Sequence, residues 1–299
     1  MIRSSFIGTG VAMVTPFNND GSIDYPSIQP LVDFVISGGV DYLVVLGTTA
    51  ETATLSATEK RLVMDAFMQA NNGRVPLVLG IGGNNTQALV NELQETDFFG
   101  FSAILSVSPY YNRPSQEGIY RHFCELSKAS PLPIILYNIP QRTGSNMEPE
   151  TVFRIANDCP NVIGIKEAKG DIHQAKELIA KRPSGFLVIS GDDSLALSMV
   201  LEGGDGVISV IGGGFPSEFS ELISLGLSSN SDLATQNQQK LSKIIQLIYE
   251  EGNPAGIKSV LSHRGLCTDQ VRLPLVAASQ SLSDRIKDCC LDFSNFVRI

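Results

Sequence analysis

Val162-Ile163-Gly164-Ile165-Lys166-Glu167-Ala168 is the stretch on which the fold reading turns. An apolar run ends abruptly on a lysine, with no alternation of apolar and polar residues before it. Continuous apolarity of this kind suits a strand covered on both faces, as in a parallel sheet. Working outward, similar runs stand at 10–15 (GVAMVT), 42–46 (YLVVL), 75–81 (VPLVLGI), 103–107 (AILSV), 133–137 (PIILY), 186–190 (FLVIS) and 206–210 (GVISV). With 162–166 they make eight runs at intervals of roughly 20–35 residues, the spacing of repeated βα units. The segments between them read as helices. Ser56-Ala57-Thr58-Glu59 has the form of a capping box opening a helix toward Asn71, and 84–98, 115–128 and 171–181 repeat the pattern. Eight alternations predict an α/β protein built as a closed (β/α)8 barrel, and no GxGxxG follows the opening strands to favour a Rossmann sheet. Helical patterns at 231–251, 254–264 and 281–293 then divide the chain into a barrel over 1–228 and a C-terminal helical extension over 229–299.

Bulk properties narrow the function. The 299 residues are 43% hydrophobic and 18% charged, enough apolar content for a full core and too few charges for disorder. A net charge of −9 argues against nucleic acid, whose phosphates require a basic face. An anionic substrate would therefore have to be captured by local cations. Residues 1–10 lack a signal-peptide layout, and no apolar stretch of about 20 residues predicts a membrane span. Five cysteines without a CxxC pair fit reduced thiols in the cytoplasm. His122, His173 and His263 have no metal-ligand spacing and read as surface or loop positions, so neither a metal nor a dissociable cofactor is expected.

In such barrels chemistry gathers where strands give way to loops. Lys166 ends its strand with its stem among apolar neighbours, and burial there favours the neutral amine, the nucleophilic form. The competing reading is a lysine that reaches out to solvent and pairs with Glu167. Tyr137 ends the preceding strand and would relay protons, or be a core tyrosine. Thr48 and Thr49 offer hydroxyl and backbone donors for a small carboxylate, or merely cap a strand. Arg142, in a loop rich in Pro and Gly, would grip a carboxylate in a bidentate fork, or serve solubility.

Taken in order, GTTAET, SPYYNRPSQEG, LYNIPQRTG, IGIKEA, SGDD and GVISV resemble the dihydrodipicolinate synthase/N-acetylneuraminate lyase family of class I aldolase-type enzymes. The resemblance runs from about Ser4 through the eighth strand and, more weakly, over the C-terminal helices. It implies a pyruvate imine on Lys166, a carboxylate held by Thr48 and Thr49, and a hydroxyl relay of Thr49, Tyr137 and Tyr111. Tyr111 would come from a neighbouring subunit, which implies a tight dimer within a larger homo-oligomer, a tetramer built as a dimer of dimers. Gly191 and Ile208 match positions lining the pyruvate pocket. Arg142 matches the arginine of the family's synthases, whereas its lyases carry an apolar residue there. That implies L-aspartate 4-semialdehyde as second substrate, with a sugar-acid aldolase or N-acetylneuraminate lyase as the alternative. Thr52, Asn84 and Tyr110 fall where lysine-inhibited members bind lysine, but Ala57, Lys60 and Ala88 replace His, His and Glu of some members, which implies weak or absent feedback.

Two other readings remain. The glycines of 211–215 (IGGGF) would cradle a phosphate at a helix N-terminus or form a permissive turn with no basic residue nearby. A catalytically idle binding protein would have no reason to keep Lys166, Tyr137, Thr49, Tyr111 and Arg142 together.

Overall fold

The computed structural model describes residues 3–293; residues 1–2 of the expected barrel and 294–299 of the expected extension lie outside that range. The described residues contain eight parallel strands closed in sequence order: β1 (Gly8–Ala12), β2 (Tyr42–Val45), β3 (Leu77–Gly80), β4 (Ala103–Val107), β5 (Ile134–Asn138), β6 (Val162–Glu167), β7 (Leu187–Ser190) and β8 (Gly206–Ser209). Closure is by β8 on β1, with Gly10 opposite Ile208. Each expected run coincides with a strand, most of them shortened by a residue or more at one end or shifted. The first is displaced most: residues 13–15 leave the sheet, and the strand starts earlier, at Gly8.

Between and after the strands come α1 (Ile28–Ser37), α2 (Ala57–Asn71), α3 (Thr86–Glu95), α4 (Gln116–Ala129), α5 (Pro140–Thr143), α6 (Pro149–Asp158), α7 (Ile172–Lys181), α8 (Ala196–Leu201) and α9 (Pro216–Leu227). The barrel is followed by α10 (Ser231–Glu250), α11 (Ala255–Arg264) and α12 (Gln280–Leu291). The capping box of α2 forms in full: Ser56 Oγ accepts from Glu59 N, and Ser56 N donates to the Glu59 carboxylate. No helix of the described residues is long and apolar enough to cross a membrane.

The strands are apolar on both faces because both faces are buried, by different partners. Leu43, Val45, Leu77, Leu79, Ile104, Leu136, Ile165 and Val188 point outward into the layer beneath the helices. Tyr42, Val44, Val78, Leu105, Ile135, Tyr137, Ile189 and Ile208 fill the barrel interior. Phe6 closes the lower end, its ring edge-on to Tyr42 at 5.5 Å.

One irregularity decides where β6 points. Ile134 pairs with Val162 but Ile135 pairs with Gly164, so Ile163 is an extra residue in the ladder. A bulge of this kind reverses the alternation beyond it. Ile163 lies in the inner cluster and Ile165 in the outer one, and Lys166 comes into register with the inward-facing Tyr137. Gly164 suits the crowded interior, since a Cβ there would lie 2.6 Å from Leu187 Cβ.

The histidines correct the sequence reading in one place. His173 and His263 are on helices with access to solvent, but His122 on α4 is buried, 4% exposed, with Nδ1 2.8 Å from Thr86 Oγ1. Period-3.6 packing of α4 against the barrel overrides its polarity. Its Nε2 has no hydrogen-bond partner, and burial pushes its pKa down to about 4. The unfolded chain takes a proton near pH 6.5 and the folded one only near 4, so stability contributed by the neutral ring is lost as pH falls through that window. Unfolding in urea at pH 7 and 4.5 is expected to show a loss about 2 kcal/mol greater for the native chain than for His122→Asn. Equal losses would contradict a neutral buried His122.

Candidate active site

Lys166 is 6% exposed at the inner mouth of the barrel, and its Nζ sits 4.4 Å from the centroid of the Tyr137 ring. The alternation of β6 sends Glu167 to the opposite face, where it bonds Asn138 and Gln174, so the reading of Lys166 as a solvent-reaching partner of Glu167 does not hold. Lys169, just beyond the strand, pairs with Asp171 at 3.0 Å and donates to Gln174. The space for the Lys166 stem is provided by Gly191, where a Cβ would lie 2.8 Å from Lys166 Cε.

A small cavity of about 60 Å³ opens at the amine. Its walls include Thr48, Thr49, Tyr137, Arg142, Lys166 and Gly191, which brings together six of the residues expected from the sequence. A vestibule of about 330 Å³ lies above it and shares Thr48, Tyr137 and Arg142 with it. Two expected residues stand apart. Ile208 is buried in the inner cluster, and the cavity wall near β8 is Val210. Tyr111 is 89% exposed, away from the cavity of its own chain, with φ of 72°. Tyr110 beside it lines the vestibule.

Two polar side chains of the cavity wall, Tyr249 and Asn253, were not anticipated, because both come from the C-terminal helical region. Tyr249 at the end of α10 donates its hydroxyl to Asp193 at 2.8 Å. Asp193, 1% exposed, also accepts from Val210 N and Ile211 N, tying the loop after β8 to α10. Burial raises the pKa of both Asp193 and Tyr249; the donors to Asp193 oppose the rise there. Asn253 donates Nδ2 to Thr49 Oγ1 at 2.9 Å, and its carbonyl accepts from Arg142 at 3.3 Å. Because Thr49 Oγ1 is the acceptor in that bond, its own hydroxyl proton stays free to donate. Asn253 Oδ1 is buried without a partner at the same wall.

The loop that carries Thr48 and Thr49 is held from beneath. Leu46 and Glu51, at its two ends, adopt left-handed φ of 56° and 55°, a conformation that costs on the order of 1 kcal/mol each and persists only where surroundings enforce it. The enforcement is an ion pair: Glu51 Oε1 lies 2.6 Å from Lys258 Nζ of α11, both side chains fully buried. Glu51 Oε2 accepts from Arg272 N, and Lys258 also donates to the Gln270 carbonyl. Burial pulls the Lys258 pKa down, against the pull of Glu51. Arg272 in turn reaches Glu59 of α2 at 2.5 Å, holding the Glu59 carboxyl at a pKa of about 2.

Comparison with known proteins gives a consistent picture. A family model described as the dihydrodipicolinate synthetase family matches residues 5–290. A 4-hydroxy-tetrahydrodipicolinate synthase of Flavobacterium psychrophilum is 58% identical over 94% of this chain and 96% of its own length. The crystal structure of a dihydrodipicolinate synthase from Thermotoga maritima superposes with a TM-score of 0.93 at 36% identity, covering 96% of this chain and 98% of that one. A chloride-inhibited dihydrodipicolinate synthase from Acinetobacter baumannii, complexed with pyruvate, gives a TM-score of 0.92 at 35% identity, with 96% and 98% covered.

Removing one partner of the buried pair leaves the other charge uncompensated. Lys258→Met is expected to cost about 3–5 kcal/mol in urea unfolding, and the double change Glu51→Gln/Lys258→Met to recover much of that loss. A single variant as stable as the native chain would show that the pair does not carry the loop.

Proposed function

This chain belongs to the dihydrodipicolinate synthetase family, and on that premise we propose that it condenses pyruvate with L-aspartate 4-semialdehyde through a Schiff base on Lys166. The observation that carries the reading is the shared cavity. It gathers a buried amine, the phenol-bearing ring beside it, two threonines and an arginine around a space fit for a small acid.

The steps follow from those groups. The Lys166 amine attacks the ketone carbon of pyruvate, and the carbinolamine loses water to give a protonated imine. Thr48 and Thr49 hold the pyruvate carboxylate. The cationic imine withdraws electrons, so a methyl proton leaves and an enamine forms. Its carbon attacks the aldehyde of the second substrate, and the aldehyde oxygen takes up a proton. Arg142 holds that substrate's carboxylate, with its guanidinium steadied by the Asn253 carbonyl. The amine of the new chain then attacks the imine carbon, closes the ring and frees Lys166. Tyr137 moves protons at the imine, with Thr49 and Tyr111 as its relay.

Tyr111 is exposed in a single chain, so the relay requires a second copy of the chain to present it. The surface around the same mouth is suited to cover: Leu273 and Val276 are 79% and 70% exposed, and Tyr110 and Leu275 line the vestibule. The reading therefore includes a tight dimer, within a tetramer. It places the enzyme in the cytoplasm, in keeping with the free cysteines of the described residues.

Incubation with pyruvate and borohydride is expected to leave a reduced pyruvyl group on Lys166, found by peptide mass, and none on Lys166→Ala. Turnover should follow with aspartate semialdehyde. Cleavage of N-acetylneuraminate or a 2-keto-3-deoxy sugar acid instead would move the assignment to the aldolase branch, and no adduct would end both. The shared relay makes a second forecast. Tyr111→Phe is expected to lower kcat by about 10²-fold, the scale of proton-transfer contributions. Mixing it with inactive Lys166→Ala, through reversible dissociation, should restore activity, because one site of each mixed dimer has both native groups. Mixtures no more active than their parts would contradict a tyrosine supplied by a second copy.

A further inference from the structure

Glu167 follows the lysine in β6 but faces away from the cavity, 2% exposed. Its carboxylate meets donors from three residues. Asn138 Nδ2 lies 3.1 and 3.0 Å from its two oxygens, Lys169 N donates at 2.7 Å, and Gln174 Nε2 donates at 3.0 Å. Burying a carboxylate this deeply is costly, and the donors offset only part of the cost. Nothing in the reaction above uses it.

The connections beyond Glu167 suggest why it is there. Asn138, the last residue of β5 and the register partner of Glu167, accepts from Met147 N through Oδ1 at 2.9 Å. Its Nδ2 also reaches Asn146 Oδ1 at 2.9 Å. Gln174, the other amide on the carboxylate, exchanges bonds of 3.2 and 2.8 Å with Asn146. Asn146 and Met147 close the loop that Ile139 opens, and Arg142 stands within it. Both ends of that loop are thus fastened to one buried carboxylate, the start directly through Asn138 and the close through Asn138 and Gln174. Above the fastening, Arg142 is exposed and reaches Asn253 by a single bond of 3.3 Å.

We propose that Glu167 is a positioning residue for the second substrate: through Asn138 and Asn146 it sets the 139–147 loop, and so the guanidinium of Arg142, against the cavity. This rests on the role given to Arg142 above. The carboxylate is required as such, because an amide of the same shape would have to turn its NH₂ toward one of the surrounding donors.

Glu167→Gln tests it with two independent readouts. Amide exchange across 139–147 is expected to quicken by about tenfold or more. In turnover, KM for the aldehyde should rise about tenfold while KM for pyruvate and kcat stay within about twofold. In an Arg142→Ala background the substitution should add nothing further to that KM. Asn146→Ala, half-buried and milder, cuts the same chain and should give the same split at smaller size, which covers the case in which Glu167→Gln fails to fold. Unchanged exchange in the loop, or both KM values and kcat shifting together, would overturn the proposal. Should the aldehyde prove not to be a substrate, amide exchange still decides the fate of Glu167, so the two readings fail separately.

Discussion

A glutamate and a lysine with no exposed side-chain surface, 2.6 Å apart, fasten the mouth of this barrel. Desolvating two charges costs several kcal/mol each, and such a pair gives little net stability compared with apolar residues of the same size. Its return here is geometric. Glu51 ends the loop that presents Thr48 and Thr49, Lys258 belongs to the second helix after the barrel, and the residues around them extend the clamp to Arg272 and Glu59. A hydrophobic contact would hold these parts together but would tolerate sliding. An ion pair whose two carboxylate oxygens each hold a donor does not.

The clamp also explains why the helices after the barrel are part of the site and not an ornament on it. They supply Tyr249 and Asn253 to the cavity wall, and through Asp193 and Thr49 these residues steady the loops after β8 and β2. Without Tyr249 and Asn253 the pocket would lose one side of its wall. A second buried carboxylate, Glu167, ties together the two ends of the 139–147 segment that carries Arg142. Two acidic residues turned away from the cavity thus brace segments around it, in a chain that is acidic overall yet offers that cavity an amine and a guanidinium.

Much of this was legible in the residues. Uninterrupted apolar runs such as YLVVL revealed strands covered on both faces, and the polar residue after each run marked the mouth of the barrel, where Lys166, Tyr137, Thr49 and Arg142 do meet. Strand ends were less legible, since an apolar residue such as Val14 packs equally well just outside the ladder. Asn253 was hidden because its partner Thr49 is 204 residues away, and only closure of the chain onto itself brings them together. Pairing of Glu167 with Lys166 stood as the competing reading because sequence adjacency looks like proximity, whereas a strand sends consecutive side chains apart. His122 was misplaced for a related reason: polarity suggested the surface, but the helix face it shares with Phe123 and Leu126 is buried.

The extra residue at Ile163 has a consequence for how this sequence can change over time. It lets the run into β6 carry one residue more than β5 while Gly164, Ile165 and Lys166 keep step with Ile135, Leu136 and Tyr137. Loss of that one residue would restore an unbroken ladder and leave the amine toward the pocket and the carboxylate toward the amides. The length of the run before Gly164 is therefore less tightly fixed than the order of the two ionisable residues that end the strand.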